Sequence, residues 1–476
     1  MSNGESTVQD SAGWSRLDPR SLALMRIALG VIILLDQLLR LTDLQAFYTD
    51  EGVLPRTTLL GSSLSDSWLS VHLTTGSGFG EALLLLITAG LAVGLIAGWK
   101  TPWMTLGCWF MLNSLHARNL FVNDRGDTQL VLMLFWACFL PLGACWSVDS
   151  RRRSVPLEAA RGFPAAALIV QLAMIYVFAA LTKNGDYWLA RGDALSYSLA
   201  SPIFAGDLAG WLLVVAKPYL RLATYLVIAG ELFAGALLLV PFSVSMLRGL
   251  AVILIAGFHL GVAVLFNLGF FPFIGMASIV ALIPSEFWDA IPATRSNFEA
   301  GPKLSHRLRL LRAGFLSLCL GLSLLSNLSS LPWLSANAPP RWLLKTTQVL
   351  KLEQHWDLFS PLPPINGQFR VLAIDRSGKA RVLYQAPKTE QTPEASDFLS
   401  HRWKMLMLTT IFPDYPFIRE SVARRLAEKF GGTREGETIR YEFVLNPMGK
   451  NGGFEPPRIL PLWSGDRHKA SGLMRL

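Results

Sequence analysis

Lys183 ends an apolar run, Ile175-Tyr-Val-Phe-Ala-Ala-Leu-Thr-Lys183, and Asp186 and Trp188 follow within five positions. An ammonium at the edge of a hydrocarbon layer costs about 2.5 kcal/mol or more unless it is paired or reaches the interface. Two chemistries are open to it. It can anchor the helix end by snorkelling, or give up its proton in a low-dielectric site and serve as a base. Glu231 and His259 fall in the middle of other apolar runs, where ionisable groups face a partner or a cavity. Tyr176 and Gln171 share the run that ends at Lys183. Arg118, Asn119, Asn123, Asp124, Arg125 and Asp127 crowd one polar loop.

Each of these residues also has a structural reading. Asp186, three positions after Lys183, would neutralise it on a helical face. Glu231 and His259 would pair with each other across neighbouring helices. The stretch from Arg118 to Asp127 would be a charge network that fixes its loop. Gln171 and Tyr176 would hydrogen-bond between helices. Trp136, Trp146, Trp188 and Trp211 fit an aromatic belt at a membrane interface. No HExxH, GxSxG, P-loop or GxGxxG pattern of weight is present. The four cysteines sit in or beside apolar runs without a CxxC, so no metal, haem or disulfide framework is expected.

The elements that must hold these residues are transmembrane. Of 476 residues, 51% are hydrophobic and 16% charged, and mean hydropathy is +0.38; soluble domains carry about 25% charged residues. Apolar runs of about 17–25 residues alternate with short polar loops, the pattern of an all-α polytopic bundle. Nine spans are expected, near 21–41, 81–99, 101–121, 128–146, 163–182, 219–241, 245–266, 268–284 and 310–331. A shorter apolar stretch, 207–217, reads as interfacial or re-entrant.

If the spans alternate, one side collects Arg16, Arg20, Lys100, Arg151, Arg152, Arg153, Arg161, Arg248, Arg295, Lys303, Arg307 and Arg309. The positive-inside rule then puts the N-terminus in the cytoplasm and the C-terminus outside. These loops account for the net charge of +9, which does not point to nucleic acid. The polar start lacks the layout of a cleaved signal, so the first span is expected to act as an uncleaved one. After a 1–20 tail and a 21–332 membrane domain, residues 333–476 read as a small external α+β domain. A hairpin turning at Asp375-Arg-Ser-Gly378, a helix at about 415–430 and a strand at 438–445 are expected there.

Four stretches carry a resemblance: Phe47-Tyr-Thr-Asp-Glu-Gly-Val-Leu-Pro, Arg118-Asn through Gly126-Asp127, Tyr176 through Trp188, and Phe258-His259 through Pro272. Together they resemble the membrane domain shared by vitamin K-dependent gamma-carboxylases and bacterial HTTM (horizontally transferred transmembrane) proteins, over about residues 15 to 330. Beyond the last span, Gln354-His-Trp-Asp-Leu-Phe-Ser-Pro361 is similar to the Trp-Asp segment that follows this domain. The resemblance implies that Lys183 occupies the position of a lysine base that starts oxygenation of the reduced quinone. In the carboxylases the strong base so formed removes a proton from a glutamate γ-carbon, and carbon dioxide captures the carbanion. His259 would lie near the quinone head, where a neutral imidazole can bond a quinone oxygen. Glu231, Tyr176 and Trp188 would complete the pocket. The implied cofactor is a reduced quinone, vitamin K hydroquinone or menaquinol, with no metal.

Two departures narrow this. The carboxylases have a histidine in an Asn-Asn-His context of the second external loop, whereas Asn123-Asp124-Arg125-Gly126-Asp127 has none. They also carry a larger lumenal domain. The expected protein is a multi-pass protein of a bacterial inner membrane, with a protein or peptide substrate on the external face. As an enzyme it would be a carboxylase-like carbon–carbon lyase or quinol epoxidase. The alternative is a non-enzymatic scaffold, or an export or immunity partner that binds another protein through the external domain. A transporter is disfavoured, because no inverted repeat or broken helix pair is evident.

Overall fold

The structure, a computed structural model, describes residues 13–62, 70–152, 157–158, 160–292, 298–299, 305–331, 333–334, 340–360, 366–387, 400–447 and 455–466. The bundle is built from α1 (Pro19–Thr42), α2 (Gly78–Ala97), α3 (Thr101–Arg118), α4 (Arg125–Ala137), α5 (Phe163–Thr182), α6 (Leu220–Leu238), α7 (Val244–Leu265), α8 (Phe271–Ile279) and α9 (His306–Ser329). Local chemistry sets their ends. Asp18 caps α1 by accepting from the Arg20 amide, with Pro19 at the first helical position. Asp124 and Asp127 form a reciprocal capping box at the start of α4. Gly98, at φ +66, closes α2, a conformation that favours a residue without Cβ.

Among the described residues, six helices are long and apolar enough to cross a membrane: α1, α2, α5, α6 extended back to Lys217, α7 and α9. This makes the chain a multi-pass membrane protein. Nine spans were expected; six meet this criterion, and the other three correspond to shorter or less apolar helices. The 101–121 span is the 18-residue α3, and 128–146 is the 13-residue α4 followed by turns. The 268–284 span is a short apolar helix, Phe271–Leu282. For α4 the physical reason is burial: it is buried from Gly126 through Ala137 except Thr128, so its apolar residues face protein rather than lipid. The 207–217 stretch contains the short helix Asp207–Val215, with Trp211 and Val214 exposed.

The loops gather at two ends. At one, Arg20 bonds Asp18 and Asp289, Arg26 bonds the Leu95, Ile96 and Trp146 carbonyls, and Arg248 bonds those of Trp14 and Arg16. Most of the expected basic loops therefore meet there; Arg153, Arg295 and Lys303, like Pro332, lie outside the described residues. At the opposite end sits a four-stranded antiparallel sheet of β1 (Gly367–Ile374), β2 (Ala380–Ala386), β3 (Thr438–Leu445) and β4 (Arg458–Asp466), in the order β2-β1-β3-β4. The hairpin turns where expected, with Asp375 accepting from the Ser377 and Lys379 amides. Helix α11 (Pro416–Lys429) and β3 answer the expected helix and strand. The helix α10 (His401–Ile411) and β4 are additional.

Two apolar cores result. One fills the bundle. The other joins Phe47, Tyr48, Leu54 and Phe121 of the bundle's loops to Trp403, Leu406, Met407 and Phe443 of the C-terminal unit.

Candidate functional site

A cavity of about 260 Å³ lies within the bundle toward the sheet-bearing end. Helix α5 contributes Ile175, Tyr176, Ala179 and Lys183 from one face, at spacings that return every helical turn. Helix α6 adds Val227 and Glu231, four apart, and α7 adds Gly257, His259, Gly261 and Leu265. Trp188, Trp356, Leu358 and Phe359 close it. Apart from two polar pairs and the flanking Arg125, Gln129 and Ser198, the lining is apolar.

The first pair is Lys183 and Glu231. Nζ lies 2.9 and 2.7 Å from the two carboxylate oxygens and 3.1 Å from the Ala179 carbonyl, so all three ammonium donors have acceptors. Both side chains are nearly buried, at 6% and 5% exposure. The Trp188 ring centroid is 5.4 Å from Nζ, and its indole donates to the Phe359 carbonyl. In the second pair the Tyr176 hydroxyl sits 3.0 Å from His259 Nε2, while Nδ1 has no hydrogen-bond partner. The imidazole fits only because residue 275 is glycine: a Cβ there would fall 2.1 Å from His259 Cε1.

A strap after the last span roofs the cavity. Gln354 exchanges hydrogen bonds with Gln171 and also engages Asn327, Trp356 and Ser326. Trp136 donates to Gln171 in the same knot. Buried amides require such pairing, and here the pairing fixes where Trp356, Leu358 and Phe359 enter the bundle.

All five residues expected at the pocket, Lys183, Glu231, His259, Tyr176 and Trp188, line this one cavity. Two expected pairings differ, and so does part of the aromatic belt. Asp186 does not meet Lys183: the helix ends at Thr182 with Lys183 as its cap, Gly185 at φ +85 then turns the chain, and Asp186 is exposed beside Arg191. Glu231 and His259 each take another partner, as described above. Trp136 and Trp188 are buried and leave the belt, whereas Trp146 and Trp211 are exposed.

The loop residues form a separate network. Arg118 donates to the Leu54 and Thr49 carbonyls and Asn119 to that of Phe47, tying the two polar loops together. Asn123 bonds the His116 carbonyl, and Arg125 pairs with Asp357 at 2.6 Å. Asp127 joins Asp36, Arg40 and Tyr48 in a buried charge cluster, with His116 3.3 Å away.

The C-terminal helix α10 completes this cluster. Arg402 bonds Asp36 at 2.9 Å, both Asp127 oxygens and the Val122 carbonyl. Burial opposes its charge, but Asp127 and Asp36 outweigh burial and hold the guanidinium well above its usual range. His401 lies 2.7 Å from Asp124, and Trp403 donates to Asp43. Lys404 donates to the Asn267 carbonyl, and burial pushes its ammonium down to about 8, partly offset by Asp124. The loop without a histidine of its own thus receives one from α10. Nothing in the local pattern of His401-Arg-Trp-Lys announces this role, and Gly275 and Phe359 were likewise missed.

A bundle with a buried ion pair in an apolar cavity, capped by an α+β unit, defines a polytopic membrane protein with a ligand-sized interior site. Residues 14–288 match the family model of the HTTM domain, more than half the chain, and the chain belongs to that family, as the resemblance implied. Comparison with curated proteins and with solved structures finds no significant match.

Proposed function

We propose that this HTTM protein is a membrane enzyme that takes a lipid-soluble quinol-type head group into the Lys183 cavity and uses Lys183 as a base. One observation carries the reading: a single apolar cavity holds both polar pairs, Lys183–Glu231 and Tyr176–His259. Apolar walls with a few convergent polar groups suit a small ring system with oxygen substituents. His259, buried with an unpartnered Nδ1, is a group whose hydrogen bonding a ligand oxygen would complete. Bound there, a quinol would supply reducing equivalents and an acidic hydroxyl.

The chain's own residues do the rest. Within the ion pair Nζ has no lone pair to offer. Passage of one proton from Nζ to Glu231 leaves a neutral amine beside a neutral carboxyl, a state that low dielectric favours relative to water. The amine then accepts a proton from a hydroxyl placed next to it. Glu231 therefore decides when Lys183 is a base. Trp356, Phe359 and Trp188 exclude water above the pair. We place the sheet-bearing end outside the cytoplasm of a bacterial cell, where a peptide substrate would meet it, and leave carbon–carbon lyase chemistry as the extension of this reading.

The test uses full-length protein in nanodiscs with menaquinol or vitamin K hydroquinone, oxygen and bicarbonate, following oxidised or epoxidised quinone. Lys183→Ala should lower turnover by about 10²–10⁴-fold, the usual worth of a positioned base. Undiminished turnover in a folded Lys183→Ala protein would refute the base. A scaffold reading draws on one fact, that every Nζ donor is already committed. It requires cavity substitutions to be silent in any phenotype that loss of the protein produces.

A further inference from the structure

We infer that the Lys183 cavity opens sideways into the bilayer through a glycine-edged gap on α7, and that its ligand is an amphiphile whose hydrocarbon tail stays in the lipid. The head-group identity rests on the proposed function; the gap does not. Helix α7 presents an outward stripe of Met246, Leu250, Ile253, Leu260 and Val264, exposed at 70, 39, 70, 57 and 47%. Steps of three or four residues keep this stripe on one helical face.

Gly257 falls on the same stripe and is exposed. It also lines the cavity, as does Gly261 one turn later. At these two positions α7 has no side chain to set between lipid and cavity. A Cβ added at either glycine meets nothing within 4 Å, and neither has a positive φ. The glycines therefore serve neither close packing within this chain nor a special backbone conformation; what they supply is open space.

The cavity itself points to the ligand. It holds the two polar pairs and His259, 2% exposed with an unpartnered Nδ1. Its volume of about 260 Å³ is below the roughly 300–1,000 Å³ of pockets for drug-sized ligands. A compact head fits and a long chain does not, so the chain of a lipid-soluble molecule must leave by the gap.

A Cβ at either position meets no protein atom, so Gly257→Leu/Gly261→Leu directs its side chains into the gap, and an unchanged melting temperature is the control that the fold is kept. Binding to full-length protein in nanodiscs is measured for 2-methyl-1,4-naphthoquinone with and without a four-isoprene tail. The double variant should lose at least about tenfold in affinity for the tailed probe and keep its affinity for the bare ring. Loss of neither, or equal loss of both, overturns the gap.

If the unaltered protein binds neither probe, the head-group reading fails and a second measurement still decides the gap. Ile175→Cys, in a background with the four native cysteines changed to Ala, is alkylated by bilayer-dissolved N-dodecylmaleimide. The two leucines should slow this by about tenfold or more, and an unchanged rate overturns the proposal. A dimer dissociated by the leucines, with labelling unchanged, would make Gly257 and Gly261 a packing motif between chains and likewise overturn it.

Discussion

Removing one partner of the Lys183–Glu231 pair leaves a buried charge behind, at a cost of about 3–5 kcal/mol. Lys183→Met alone should therefore lose both stability and turnover. Lys183→Met/Glu231→Leu separates the two effects: its melting temperature should return toward that of the unaltered protein while turnover stays absent. Turnover by the double variant would remove Lys183 from the chemistry. Gly275→Ala probes the second pair without touching a polar group. Its Cβ displaces the imidazole from Tyr176, so quinone affinity should fall by about tenfold, the worth of one hydrogen bond with its unsatisfied partner; unchanged affinity would show that His259 does not hold the ligand. At this scale the sequence was informative about which residues matter, because an ionisable group in an apolar run demands an explanation. It was silent on who pairs with whom. Lys183 and Glu231 are 48 residues apart, and Tyr176 and His259 are 83 apart. The nearest candidate, Asp186, lost to a glycine-directed turn.

Helix α10 behaves as a plug of charge driven into the bundle's end. Arg402→Ala leaves Asp36 and Asp127 with Arg40 as their one buried guanidinium partner, so a loss of about 3–5 kcal/mol is expected, read as a lower melting temperature and faster protease release of the C-terminal unit. Arg402→Lys should not restore it, because an ammonium cannot make forked bonds to two carboxylates at once; full rescue by Lys would contradict the cluster's geometry. Lys404 gives a pH signature. Its folded value of about 8 lies below the ordinary lysine value of 10.5, so the unfolded chain holds the extra proton between those values. Stability from this group therefore rises as pH climbs from about 8 to 10.5. The melting difference between the unaltered protein and Lys404→Met should shift in favour of the former across that window; a flat difference would mean that Lys404 is not penalised by burial. Helix α11 and the β1–β2 hairpin were legible from local turn and periodicity signals. Helix α10 was not, since two cations with a tryptophan between them look like a solvated surface until Asp36, Asp43 and Asp127 are brought against them. Helix α4 was read as a span because protein-facing and lipid-facing apolar runs look alike in sequence.

For the molecule as a whole, the proposed orientation is open to direct labelling. Ser377→Cys, in the exposed hairpin turn, should react with a membrane-impermeant maleimide on intact spheroplasts, whereas Arg152→Cys, at the basic end, should react after permeabilisation alone. The reverse pattern would invert the topology. Membrane character and the two-ended layout were visible in composition and loop charge. The sharing of one apolar core between bundle and sheet was not, because it joins Phe47 and Phe121 to residues hundreds of positions later. The Asp36–Arg402 contact spans 366 residues of chain, and at about 5–20 residues per second its second half leaves the ribosome on the order of 20–70 s after its first. From the translation of Asp127 until that of Arg402, Asp36, Arg40 and Asp127 carry one uncompensated negative charge at the rim of the nascent bundle. Assembly of these helices is thus completed by a residue translated long after them, and a chain that stops before residue 402 would keep that charge unpaired at the rim of the bundle.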